Sequence, residues 1–243
     1  MTKEQISQET GIPTGKSSGK VEPHIQYAVF MGLVRHQVQD GTHALERTEF
    51  GQMVFELDPH LMEPVTLLVC HHNISSPPQG AALWQFVFTK LLPALGPAID
   101  QDTLMRAASV EFQTPKVNLT PLKTCYTTQK SFGDLGLLKV SASKQWAFQP
   151  IPYRSEHRYA YAYTLLKAWE RMLPERPEIT VDELADYTHW HRPLLWDKRD
   201  LMNGLESLED LGILSLNKQL APVTIIKRRI SAFALSKLYS CLI

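Results

Sequence analysis

Three stretches of the chain close in the same way: "VFMGLVRHQV" (residues 29–38), "SFGDLGLLKV" (131–140) and "LEDLGILSLN" (208–217). Each ends an amphipathic run on a glycine and passes into a short β-prone segment. Glycine stops a helix readily because it takes the left-handed conformation without a Cβ clash. The β-branched and leucine residues that follow suit a half-buried strand. A chain that repeats this phrase three times is constrained to small helical heads, each finished by a β-ribbon.

The first copy reads most fully. Thr2 and Gln5 form a T-x-x-Q capping box that opens a short helix, "KEQISQET". Gly11, Pro13 and Gly15 break it. A further helix follows, with Val21, Ile25, Ala28 and Val29 on one face and Pro23 in its first turn. "LVRHQV" and "THALERT" then read as two strands joined at Asp40-Gly41, a strong hairpin signal. Three helices followed by a two-stranded ribbon is the winged-helix order.

The third copy repeats the plan. Thr180 and Glu183 cap "VDELADYT", a helix near 197–211 carries Leu201, Leu205, Leu208 and Leu211, and "ILSL" and "VTIIK" flank a turn. The second copy places Leu122, Cys125, Tyr126 and Phe132 on a helix and pairs "LLKVS" with "QWAFQ".

Between copies, Asp58-Pro59 reads as an N-cap with proline at N1, opening "PHLMEPVTLLVCHHN". "AALWQFVFTKLLPAL" is apolar nearly all round and is expected to be buried, as is "YAYAYTLLKAWERML". The predicted fold is mainly α with small β-hairpins, built as tandem winged-helix units around a central helical segment. The expected divisions are a winged helix over 1–57, a helical segment over 58–100, a second winged-helix-like unit with its connecting helix over 101–173, and a third winged helix with a C-terminal tail over 174–243.

"GIPTGKSSGK" (11–20) invites comparison with a phosphate-binding loop. It is one residue too short for G-x-x-x-x-G-K-[ST], and a polar, helix-like stretch precedes it where a buried strand is needed. It reads instead as the bend leading into a recognition helix, with its lysines and serines facing outward, where phosphates lie. Lys16, Ser17, Ser18, Lys20 and His24 are therefore the leading DNA-contact candidates. Arg35, His43 and Arg47 are expected on the first wing. The same surface would serve equally for docking protein, since a fold does not decide a function.

Twenty-five basic residues balance 25 acidic ones, which argues against coating nucleic acid by bulk charge and leaves a local basic surface open. Cys70, Cys125 and Cys241 are widely spaced, with no C-x-x-C, so neither a disulfide framework nor a zinc knuckle is indicated. No apolar run is long enough to cross a bilayer, and the polar N-terminus is no secretory signal. A cytoplasmic protein is expected.

Cys70-His71-His72 is the compact set of metal-type ligands, but adjacent helical residues point about 100° apart and seldom share one ion. It reads as a helix end with two polar histidines. His189-Trp190-His191 reads as a loop with an aromatic anchor. No G-x-S-x-G, H-E-x-x-H or E-x-x-H set is present. Lys227-Arg228-Arg229 reads as a solvated terminus, and "SAFALSKLYSCLI" as an apolar tail packed on the body or on a partner.

Residues 45–90 carry a family likeness: Gly51, the D-P-x-L-x-x-P run of Asp58, Pro59, Leu61 and Pro64, then Thr66, Leu67, Leu68 and His71, and the W-x-x-x-F pair Trp84 and Phe88. Upstream, Gly19-Lys20, Ile25–Tyr27 and "MGLV" continue it. This pattern resembles an uncharacterised prokaryotic family, number 4007 among catalogued domains of unknown function. Its members commonly lie beside genes for DNA phosphorothioation and related phage-defence systems. They usually begin with an aromatic and His-Glu segment that has no counterpart here, so a shortened member is expected. The family has no established catalytic residues to carry over. The resemblance implies a non-enzymatic DNA-binding accessory of a modification or defence system. Double-stranded DNA and other subunits of that system would be its partners, with no cofactor, metal or membrane. The alternative is a protein-binding adaptor in the same system.

Overall fold

The computed structural model describes residues 1–15, 19–129, 131–219 and 221–241. About half the chain is helical, and the rest includes three small antiparallel sheets. It divides into two compact units, Met1–His60 and Leu61–Ile243.

In the first unit, helix α1 spans Lys3–Thr10 and opens with the Thr2/Gln5 capping box. Gly11, left-handed at φ 71°, ends it. Helix α2 spans Val21–Phe30, with Val21 and Ile25 turned into a core shared with Ile6 and flanked by Ile12 and Val29. Strands β1 (Val34–Gln39) and β2 (Thr42–Arg47) pair antiparallel from Val34↔Arg47 to Gln39↔Thr42. Asp40 and Gly41 both have positive φ, at 49° and 72°, as a two-residue hairpin of this twist requires.

Helix α3 (Glu49–Leu57) follows the ribbon. Two helices, not three, therefore precede the ribbon among the described residues, and the third closes the unit from behind. Thr48 caps α3 and also binds Gly32 O at 2.6 Å, tying the helix to the turn before β1. Gly51 seats on that turn so closely that a Cβ would lie 1.8 Å from Leu33 O. The expected helix start at Asp58-Pro59 is not observed. Asp58 is instead the C-cap of α3, its N–H bonded to Val54 O.

In the second unit, Leu61 takes φ 53° and α4 begins at Pro64, whose missing N–H costs nothing at the first helical position. Helix α4 spans Pro64–Ser75. The apolar stretch after it forms α5 (Ala82–Gln85), a π-helical turn (Phe86–Leu91) and α6 (Leu92–Leu95) in direct succession. Trp84, Val87 and Phe88 are buried, as its composition predicts.

A strand–helix–helix–hairpin module then occurs twice. In the first, β3 (Ala98–Asp100) leads to α7 (Gln101–Glu111) and α8 (Thr120–Thr127), then to β4 (Leu138–Val140) and β5 (Gln145–Phe148), with β5 central in the sheet. Helix α9 (Arg158–Met172) connects the two modules. In the second, β6 (Glu178–Thr180) leads to α10 (Val181–Thr188) and α11 (Lys198–Asp210), then to β7 (Leu214–Asn217) and β8 (Thr224–Lys227), with β8 central. A short α12 (Ser231–Ser236) packs on α9, where Ser231 binds the Glu170 carboxylate. The repeated phrase has a common physical basis: Gly32, Gly136 and Gly212 all have positive φ, at 78°, 67° and 65°.

Candidate nucleic-acid interface and a buried histidine layer

Lys16, Ser17 and Ser18 lie outside the described residues. On either side of them the backbone bends as the glycine content predicts, with Gly19 N bonded to Gly15 O and Lys20 N to Pro13 O. Lys20 is the N-cap of α2 and is exposed; His24, one turn on, is also exposed and donates from Nδ1 to Lys20 O at 2.7 Å. These two candidates share one side of α2.

The ribbon separates the other three. Residues paired across an antiparallel ladder share a face, so Val34, His36 and Val38 lie with Arg47, Leu45 and His43 on one side. Arg35 lies with Glu46 on the other, 3.7 Å from its carboxylate. Arg47 is exposed, its guanidinium 3.6 Å from the Phe55 ring centre and bonded to Gln52. His43 is only 4% exposed, which removes it from a contact surface. Its ring stacks on His36 with centroids 5.0 Å apart, and its Nδ1 meets His36 Nε2 at 2.8 Å. That contact holds one shared proton. Burial, then the neighbouring His43, pushes the His36 pKa down. Lys20, His24, Arg35 and Arg47 therefore remain as exposed basic groups of the first unit.

The sequence reading missed a different constellation, inside the second unit. His71 and His72 are not a polar helix end; both are buried. His71 Nε2 lies 2.8 Å from Pro193 O, a group that only accepts, so Nε2 carries the proton and Nδ1 accepts from Tyr126 OH at 2.7 Å. Phe88, Tyr126 and Phe132 surround the ring edge-on. His72 likewise donates from Nε2 to Trp190 O at 3.1 Å, while its Nδ1 accepts from Ser76 Oγ. Desolvation pushes the two pKa values down to about 4 and about 3, so both rings are neutral at neutral pH.

The histidines thus pin the 189–197 loop to α4. The aromatic anchor expected in that loop is present: Trp190 is fully buried and donates to Thr164 Oγ1 at 3.0 Å. No local pattern announces these bonds, because His71 and Pro193 are 122 residues apart. Among the described residues, no three His, Cys, Asp or Glu side chains are grouped to hold a metal ion. No helix among them is long and apolar enough to cross a membrane.

Taken together, these features define a mixed helix-and-ribbon protein, about half helical, with three small antiparallel sheets. No family model matches the chain, and no curated protein matches it significantly. Solved structures do. One described as "SspB crystal structure" superposes with a TM-score of 0.73 at 18% identity, over 98% of this chain and 79% of that one. Another, "Magnesium ion-bound SspB crystal structure", gives 0.70 at 18% identity, over 91% and 76%. At such identity the likeness establishes a common fold.

Proposed function

We propose that the chain is a DNA-binding accessory of a prokaryotic DNA-modification system of the phosphorothioation type, or of a phage-defence system. In this reading its ribbon-bearing modules are winged helices, and it works in the cytoplasm beside other subunits of that system. It binds double-stranded DNA without cutting it and without a cofactor of its own. The observation that carries the reading is the first unit's arrangement: exposed Lys20 and His24 at the start of α2, followed by an exposed ribbon bearing Arg35 and Arg47. The family resemblance over 45–90 and the fold shared with the SspB structures support it.

Anisotropy of a labelled duplex, titrated with protein at several salt concentrations, tests the binding. Phosphate contacts release counterions, so affinity should fall steeply with salt. Incubating supercoiled plasmid with the protein and Mg²⁺, the ion in one of the similar structures, tests the rest. Intact plasmid is expected; nicking that co-purifies with the chain and is lost on heat inactivation would overturn the non-catalytic part.

A protein-docking adaptor is the second reading, and one observation favours it. Val38 and Leu45, on the same ribbon face, are 56% and 43% exposed, and Phe55 and Leu57 on α3 are exposed as well. Absence of duplex binding at low salt would select this reading.

A further inference from the structure

The two strand–helix–helix–hairpin modules of the second unit share one plan, down to the last strand lying central in each sheet. In helix-turn-helix proteins the second helix of the pair enters the major groove. That position is taken by α8 in the first module and by α11 in the second. The two helices carry opposite charge there.

Helix α8 contains no carboxylate. Its exposed side bears Thr120, Lys123 and Thr124, neighbours at i, i+3 and i+4. Among the described residues Lys123 has no ion-pair partner, and the two threonine hydroxyls have no hydrogen-bond partner. Lys116, in the connection before α8, is likewise exposed and without an ion pair among those residues. These four side chains line a concavity of about 730 Å³ that has no acidic wall. Lys144, at the turn between β4 and β5, borders it: its carbonyl accepts from the N–H of Gln101, itself one of the walls.

Helix α11 sets two cations, Lys198 and Arg199, against four carboxylates, Asp200, Glu206, Glu209 and Asp210. Lys198 already lies 3.7 Å from Asp182, and Glu206 holds Lys218 at 2.7 Å. A polyanion approaching this helix meets net negative charge, and one approaching α8 meets lysines alone.

We infer that α8 makes a second contact with duplex DNA and that α11 makes none. Helix α8 lies in the major groove, with Lys116, Lys123 and Lys144 toward the flanking phosphates and Thr120 and Thr124 toward the base edges. Lysine serves phosphate without reading sequence, and threonine reaches base edges or the thymine methyl. The inference rests on the reading of the ribbon-bearing modules as winged helices, but not on Lys20 or the first ribbon.

The test uses the full chain, with a labelled duplex and its separate single strand as probes, read by anisotropy across salt concentrations. K116Q/K123Q should weaken duplex binding at least fivefold and flatten the salt slope by about 1–2. T124E, which sets a carboxylate on the same face, should weaken it at least tenfold. K198Q/R199Q removes the same charge from α11 and should leave affinity within twofold of wild type. All five positions are exposed, so circular dichroism and the Tm of each variant should match wild type. Duplex binding that survives in both K116Q/K123Q and T124E overturns the inference, even where K16Q/K20Q loses it and the first-unit contact stands. Equal losses in K116Q/K123Q and K198Q/R199Q, or equal losses toward the duplex and the single strand, reduce the lysines to bulk charge and overturn the groove assignment. No duplex binding by wild type at about 50 mM salt overturns this contact and the first-unit contact together.

Discussion

A Cβ at position 51 has no place to go, because the Leu33 carbonyl oxygen already occupies it. Gly51→Ala should therefore destabilise the first unit by about 1–3 kcal/mol, the usual cost of forcing atoms into a packed site. Chemical denaturation measures this; an unchanged midpoint would show that α3 shifts freely. The buried histidines make a second prediction at this scale. Their folded pKa values, about 4 and about 3, lie below the 6.5 of an exposed imidazole. Between those limits the unfolded chain binds more protons, so stability is complete above pH 6.5 and falls as the pH drops toward 4. For His71 alone the loss is on the order of 3 kcal/mol. Denaturation midpoints flat from pH 7 to 4.5 would contradict the neutral, carbonyl-bound rings. The residues carrying the family resemblance acquire a physical meaning here as well. Gly51, His71, Trp84 and Phe88 are buried packing residues.

The elements show where the sequence is legible and where it is not. Both capping boxes, the Asp40-Gly41 hairpin and the three glycine stops are local signals, and all take the expected geometry. Thr180 accepts from Glu183 N at 3.0 Å, and Glu183 returns a bond to Thr180 N. The Arg176 hydrogen bond, then the Thr180 N–H, holds the Glu183 carboxyl down at about 2. Thr180→Ala should cost about 1 kcal/mol, measurable as a lowered midpoint; no loss would mean the cap is idle. Asp58 was misread because the same residue can open one helix or close another, and only the prior use of its N–H by Val54 decides between them. The ribbon candidates were read from charge without register. Register puts Arg35 and Arg47 on opposite faces and buries His43 against His36. The first strand of each three-stranded sheet, β3 or β6, is three residues long, too short for any periodicity to reveal it.

At the scale of the molecule, a charge-balanced chain can hold nucleic acid only through local groups of unpaired cations. Among the described residues the first unit offers two such cations with no carboxylate partner, Lys20 at the start of α2 and Arg47 on its ribbon. The central claim is that these cations contact duplex DNA. It is tested most directly by the salt dependence of duplex binding in wild-type protein and in K16Q/K20Q, followed by anisotropy. The account predicts that log affinity falls linearly with log salt, and that the double substitution weakens binding to unrelated sequences alike and flattens the slope by about 1–2. No duplex binding at about 50 mM salt, or a K16Q/K20Q protein that binds with the wild-type affinity and slope, would contradict it.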